Sequence, residues 1–390
     1  MRVMRNGLSA AAMLACAGAP ALAADPIKVG VVATLSGPSA VLGQQVRDGF
    51  QLAIRQMGGQ LGGVPTEVIV VDDEQKSDVA VGRVQTLLER DQVDFVVGPV
   101  FSNVAQAIAK PITESETFMI SANAGPSTLA GADCSPFFFS SAYQNDQVHA
   151  VLGKYAQDQG YPDVVLMTPN YQAGKDAMAG FKRYYQGEVV DEIFTQLGQL
   201  DFSAELARIA AYQPAALYTF MPGGMGVNLV KQFSQAGLTG TIPFLSAFTV
   251  DETTLPAEQD AALGLYGGAN WAPTMNNPQS KTFVDAYEQA YGSVPGLYAM
   301  QGFDAALLID SVVDAVGGDL EDKAAMRTAF LAADFISLRG DFAFSKNGFP
   351  IQDFYLVQAA KRADGKYQTE IVSKVFEDYA DDYVGACTID

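Results

Sequence analysis

The chain is poor in the residues that enzymes and metalloproteins lean on. Its 390 residues include one histidine (His149), one tryptophan (Trp271) and three cysteines. One histidine leaves little choice for a catalytic triad, and Gly37-Pro38-Ser39 and Gly125-Pro126-Ser127 lack the second glycine of a nucleophile elbow. His149 lies within a predicted helix with no cysteine or carboxylate pattern to make a metal site, so no metal is expected. Gly58, Gly59, Gly62 and Gly63 do not match a phosphate loop and read as a turn. Asp72-Asp73 is a carboxylate pair at a strand end, where aspartate is common. No catalytic residue and no cofactor is expected. Positive charge is also scarce. The 24 Lys and Arg face 44 Asp and Glu, a net charge of -20, which argues against nucleic acid and anionic membranes as partners. An anionic small ligand is still allowed, because oriented backbone N–H groups create a locally positive pocket in an acidic protein. Beyond the N-terminal leader, no apolar run approaches the ~18 residues of a membrane span.

The leader has the form of a signal peptide over residues 1–24. Arg2 and Arg5 make a basic start, Leu8 to Ala19 an apolar run, and Ala21-Leu22-Ala23 the small residues a signal peptidase needs. Cys16 after Leu14-Ala15 offers a lipoprotein alternative, although the residues upstream of it fit that pattern poorly. Cleavage near Ala24 leaves about 366 residues and a net charge of about -22, enough chain for two domains. It also leaves only Cys134 and Cys387. In an oxidising compartment such a pair is expected to form a disulfide, fastening a C-terminal tail with Phe376, Tyr379 and Tyr383 to the loop after the fourth strand; two free thiols are the alternative.

The remainder alternates strand and helix. Strands are expected at Ile27 to Thr34, Thr66 to Val71, Asp94 to Val97 and Phe118 to Ser121, with helices at Gln45 to Met57, Val79 to Glu89 and Asn103 to Ile108. A second series has strands at Val164 to Met167, Val189 to Thr195, Ala216 to Phe220 and Ile242 to Leu245, with helices over 146–159, 174–185, 203–212 and 224–236. Three long amphipathic helices follow, at Gln279 to Tyr291, Ala299 to Val316 and Glu321 to Ala332. Short strands at Asp341 to Phe344 and Asp353 to Ala359 come after them. This is an α/β chain of two doubly wound lobes with a cleft between them, crossed more than once so that the crossings make a hinge. Trp271 is expected to pack at a crossing. Arg339-Gly340-Asp341 spells an adhesion tripeptide but reads as a turn entering a strand.

Several motifs then fall in order. They are Lys28-Val29-Gly30-Val31 leading to Leu35-Ser36-Gly37-Pro38, Gly98-Pro99-Val100-Phe101-Ser102-Asn103, and Ser121-Ala122-Asn123-Ala124. They continue in Asn170-Tyr171-Gln172-Ala173-Gly174-Lys175 and Gln301-Gly302-Phe303-Asp304-Ala305. Together they resemble the branched-chain amino-acid type of periplasmic solute-binding protein, the receptor of an ABC importer. The resemblance spans residues 27–390 and implies a periplasmic receptor that closes on ligand and docks on permease transmembrane subunits; a monomer is the default expectation. The resemblance places lobe 1 at 25–142 plus 273–348, lobe 2 at 143–272 plus 349–375, and a tail at 376–390. It implies a carboxylate held by Ser102, Asn103, Asn123, Ala124 and Gly125, with Tyr171 reaching across from lobe 2. Taken as residues alone, Ser102 and Asn123 are more readily read as caps or turn formers.

One position departs from the pattern. Amino-acid binders of this family carry a carboxylate after the strand ending Phe244-Leu245, to pair with the ligand ammonium, and this chain has Phe248 there. An ammonium buried there without a countercharge would cost several kcal/mol, of which a cation–π contact returns part. Leu42 replaces a frequent aromatic, and Phe101 and Met221 add apolar walls. The pattern, with Arg339-Gly340-Asp341-Phe342 and Pro350-Ile351-Gln352-Asp353-Phe354-Tyr355, also resembles the family branch that binds aromatic acids. The expected ligand is therefore a small aromatic or apolar carboxylate. A branched-chain or other amino acid, or a ligand-sensing partnership with a receptor, is the alternative.

Overall fold

The computed structural model describes residues 25–389; the expected signal peptide lies outside them. Ile-Lys-Val-Gly-Val-Val-Ala forms β1 (Ile27–Ala33), buried on nearly every residue because it lies inside a parallel sheet covered on both faces. Its sheet adds β2 (Gln60–Leu61), β3 (Val64–Asp72), β4 (Phe95–Val97), β5 (Phe118–Ser121) and β6 (Phe138–Ser140), in the order β2-β3-β1-β4-β5-β6. The second sheet contains β7 (Asp163–Pro169), β8 (Glu188–Thr195), β9 (Ala216–Thr219), β10 (Phe244–Ser246), β11 (Tyr266–Ala269), β12 (Ala343–Phe344) and β13 (Pro350–Lys361). Their order is β12-β13-β11-β10-β9-β7-β8, and β14 (Tyr367–Tyr379) pairs with β13. Within both parallel cores the strands run second, first, third, fourth, fifth. The reversal point therefore falls beside β1 and β4 in one lobe and beside β7 and β9 in the other, where such sheets leave a crevice at their carboxyl ends.

The helices of lobe 1 are α1 (Ala40–Gln56), α2 (Ser77–Thr86), α3 (Ser102–Glu114) and the single turn α4 (Ser127–Ala130). Those of lobe 2 are α5 (Asn145–Asp158), α6 (Gln172–Tyr184), α7 (Ser203–Tyr212), α8 (Gly224–Gln235) and α9 (Leu255–Glu258). After them α10 (Pro278–Tyr291), α11 (Leu297–Ala315) and α12 (Lys323–Ala332) return to lobe 1, where α11 lies along α1.

Four strands escaped the sequence reading, of which β2 is a two-residue strand inside the glycine-rich turn. β6 and β11 are only three and four residues long, and β11 carries two glycines, so neither shows an apolar run. β14 is an outer strand bearing Glu370, Ser373, Lys374 and Glu377 towards solvent, which hides its alternation. Because β14 runs on to Tyr379, four residues assigned to the tail belong to a hairpin. Cys134, beyond α4 rather than directly after β5, is bonded to Cys387 with Cα atoms 5.7 Å apart.

The chain changes lobes after β6, after β11, and between Gly348 and Tyr355. Gly348 O accepts from Ser140 N at 2.9 Å on one side, and Tyr355 pairs with Ala269 on the other. All three crossings meet at one buried cluster. Arg339 Nη1 donates to Ala142 O (3.0 Å) and Gln352 Oε1 (2.7 Å), and its Nη2 pairs with Asp304 on α11 (3.0 Å). Asn270 Nδ2 donates to the same Ala142 carbonyl at 3.1 Å. The arginine of the adhesion-like tripeptide is thus a structural tie. Trp271 is buried in the second crossing, with Nε1 donating to Ser280 Oγ at 2.9 Å.

Candidate functional site

The carboxyl ends of both sheets face one another across a narrow cavity. Lobe 1 contributes Leu42 on α1, Val100, Phe101 and Ser102 after β4, Asn123 and Ala124 after β5, and Tyr298 on α11. The first crossing adds Tyr143 and leads into Asn145 and His149 on α5. Lobe 2 closes the space with Tyr171 and Ala173 after β7, Phe220 and Pro222 after β9, and Phe248 after β10. The lobes also touch directly: Gly224 N donates to Pro38 O at 3.2 Å, and Ser127 N and Oγ donate to Asp176 at 3.1 and 2.8 Å.

Local sequence explains how these groups arrive there. Gly98 has φ of +105°, and a Cβ on it would run into the Val32 carbonyl, so only glycine turns the chain from β4 towards the cleft. The turn delivers Phe101 as the N-cap of α3, with no side-chain cap. The first intrahelical donors of α3 are Val104 and Ala105, both to Phe101 O, so the Ser102 and Asn103 amides have no place in the helical ladder. Ser102 Oγ accepts from Asn145 Nδ2 at 3.1 Å, leaving its own proton to donate. At this end of the cavity a hydroxyl, the uncapped Ser102 amide and a helix N-terminus suit a carboxylate.

Three of the expected residues do not reach the cavity. Asn103 turns towards α2, its Nδ2 3.4 Å from Ser77 Oγ. The Gly125 amide already donates to Asn145 Oδ1 at 3.0 Å. Met221 packs in the apolar cluster on the far face of the lobe 2 sheet with Leu217, while Tyr218 and Phe220 face the other way. Strand alternation therefore presents Phe220 to the cavity, one residue from the expected position. Asn123 lines the cavity, but its side chain is a brace: Nδ2 donates to Val100 O (2.7 Å) and Oδ1 accepts from the Tyr143 hydroxyl (2.8 Å).

The body of the cavity is aromatic. Tyr171 lies 6.3 Å from Phe101 and 6.2 Å from Phe220 between ring centroids. Phe248 packs against Tyr143, His149, Phe220 and Tyr298 within 6.0 Å, and holds a left-handed φ of 57°, a conformation rare for an aromatic residue. Burial pushes the phenols of Tyr143, Tyr171 and Tyr298 above their ordinary range, so they stay protonated. Burial also pushes His149 down to about 3, leaving a neutral imidazole. Among the described residues no Asp, Glu, Lys or Arg lines the cavity, and none form a group able to hold a metal.

Sequence reasoning missed Tyr143, Asn145, His149, Phe220 and Tyr298. The period of β9 contained the signal for Phe220, and His149 follows Asn145 by one helical turn. Tyr298 gave none, because α11 is buried nearly all round.

Comparison with known proteins agrees with this geometry. A curated relative from Brucella melitensis, "Leu/Ile/Val-binding protein homolog 6", is 28% identical and covers 96% of this chain and 97% of its own. The solute-binding protein of an R. palustris ABC transporter, solved with benzoate, is 31% identical with a TM-score of 0.88, over 94% of this chain and all of that one. Another from Rhodopseudomonas palustris BisB5, solved with 3,4-dihydroxybenzoic acid, is 28% identical with a TM-score of 0.84, over 92% and 99%. The periplasmic binding protein family model matches residues 26–366. The chain belongs to that family, and it is a solute-binding receptor of an ABC importer rather than an enzyme.

Proposed function

We propose that the receptor captures a small aromatic monocarboxylate. The observation that carries this reading is the cavity wall, in which carboxylate donors stand at the Ser102 end, aromatic rings make the body, and no carboxylate lines the space to pair an ammonium. An α-amino acid would leave its cation buried among Phe220, Phe248 and Tyr298, at a cost of several kcal/mol. A flat ring fits against Tyr171 and Phe248 and needs no countercharge. The benzoate and dihydroxybenzoate in the two R. palustris proteins support the same class.

Ser102, Ala124, Leu42 and Phe101 hold the acid from lobe 1, and Tyr171 and Phe248 from lobe 2. Ligand touches both sets only when the lobes meet, so it shifts the population towards the closed form. The lobes, 25–142 with 273–348 and 143–272 with 349–375, rotate about the three crossings. The monomer reaches the periplasm by cleavage of residues 1–24 and presents its closed form to the permease.

The test is thermal unfolding of refolded, ligand-stripped protein with benzoate, isovalerate, leucine, isoleucine or valine. Binding to the folded state adds about 2.7 kcal/mol at a hundredfold excess over Kd. A rise in Tm with benzoate and none with the amino acids is expected. A rise with leucine alone would return the protein to amino-acid uptake.

A further inference from the structure

His149, the only histidine of the chain, stands in the cavity wall. Its Nδ1 lies 2.6 Å from the Tyr218 hydroxyl, which is fully buried and has no other partner among the described residues. Only one proton can lie between them. Were Nδ1 to donate it, the Tyr218 O–H would be left buried and unpaired. With Tyr218 donating, both groups are satisfied, and the proton of the neutral ring sits on Nε2. The two ring nitrogens point to opposite sides of the imidazole, and Tyr218 is not part of the cavity wall, whereas Phe220 and Phe248, which pack on the same ring at 5.1 and 5.9 Å, are. Nε2–H, without a protein partner among the described residues, therefore faces the cavity. Burial of the imidazole keeps it a neutral donor across the working pH range.

The position of this donor relative to the carboxylate end is set by one helix. Ser102 bonds Asn145 on the first turn of α5, and His149 follows four residues later, ~6 Å along the axis. We propose that His149 Nε2–H donates to an oxygen substituent on the ring of the bound acid, so that the receptor prefers hydroxylated benzoate-type acids to the bare ring. This rests on the aromatic-acid reading above. A bare ring leaves the N–H buried without an acceptor, which corresponds to a preference of about 10- to 100-fold for the oxygenated acid.

The experiment pairs calorimetric titration of tag-free, ligand-stripped wild type and His149→Phe with benzoate and 4-hydroxybenzoate, and NMR of ¹⁵N-histidine-labelled wild type. One histidine gives one pair of ring-nitrogen signals, so no assignment is needed. The expected results are tighter binding of 4-hydroxybenzoate by wild type, near-equal binding of both acids by His149→Phe, and a protonated Nε2 whose signal moves with 4-hydroxybenzoate more than with benzoate. Equal binding of the two acids by wild type, or a preference that survives in His149→Phe, overturns the assignment to His149 and leaves the aromatic reading standing. Failure of wild type to bind either acid overturns both. Should His149→Phe not fold, the wild-type spectrum still decides: a proton on Nδ1, or an Nε2 signal indifferent to 4-hydroxybenzoate, overturns the proposal.

Discussion

Glu252 is buried with a carboxyl oxygen that accepts from Thr369 N and Oγ1, both at 2.7 Å, which ties the segment after β10 to β14. Burial and then the neighbouring Asp251 push its pKa from 4.5 up to about 7. The folded protein thus holds a proton that the unfolded chain has lost between about pH 4.5 and 7, and stability from this group falls as pH rises through that window. Glu252→Gln keeps the acceptor and removes the charge. It is expected to add ~1–3 kcal/mol above pH 7, with the gain disappearing towards pH 4.5, as read by urea unfolding at both ends of the range. A loss of stability at pH 8 would show that the ionised carboxylate holds the segment. His149 has the opposite sign: with a folded pKa of about 3 against an ordinary 6.5, it favours the folded state increasingly as pH rises between those values. Which of the two residues would be buried could not be read from their neighbours in the chain. Burial, which sets both pKa values, comes from contacts with residues far away.

At the scale of elements, the cavity depends on how closely α5 and α6 approach. α5 begins at Asn145 because Gln144 caps it, accepting from Asp146 N at 3.1 Å while its own amide donates to Gln147 Oε1 at 2.9 Å. Gly153 of α5 lies against the Phe181 backbone, and Gly180 of α6 against the Asp146 backbone, so the helices meet without intervening side chains. Gly180→Ala would push α5, with Asn145 and His149, away from Ala173 and Tyr171. A loss of ~1–3 kcal/mol in stability and weaker aromatic-acid binding are expected, measured by thermal unfolding and calorimetry on the same variant. Unchanged affinity would mean that the helix separation does not set the cavity. The period of α5 and α6 was readable from apolar spacing. Their reciprocal glycines were not, since a glycine in a helix carries no mark of what approaches it.

For the whole molecule, the hinge hub around Arg339 is the critical tie. Asp304 also accepts from Ser337 Oγ (2.6 Å) and Leu338 N (3.1 Å), and burial pushes its pKa up against the lowering effect of Arg339. Arg339→Leu leaves that carboxylate buried without a countercharge and is expected to cost ~3–5 kcal/mol by thermal unfolding, partly recovered in Arg339→Leu with Asp304→Asn. No recovery would assign the loss to the bonds with Ala142 and Gln352 instead. The tail adds a further link between lobes: it leaves β14 on the lobe 2 sheet and is bonded through Cys387 to Cys134 on lobe 1. The cysteine pair was foreseeable by count, because only two remained for one bond. The hub was not, because Ala142, Asn270, Asp304, Arg339 and Gln352 are dispersed over more than 200 residues.

Local pattern was enough to place the two parallel cores and most of the helices, since periodicity and strand-end turns are written in neighbouring residues, whereas the Leu42, Phe101, Ser102, Ala124, Tyr171 and Phe248 wall was reached through the resemblance of the motifs to a known family. The exclusion of Asn103, Gly125 and Met221 from that wall, and the entry of Tyr143, His149, Phe220 and Tyr298, came only with the packed structure. The face a side chain takes, and whether its polar atoms are already bonded, follow from contacts between segments that the linear order keeps apart.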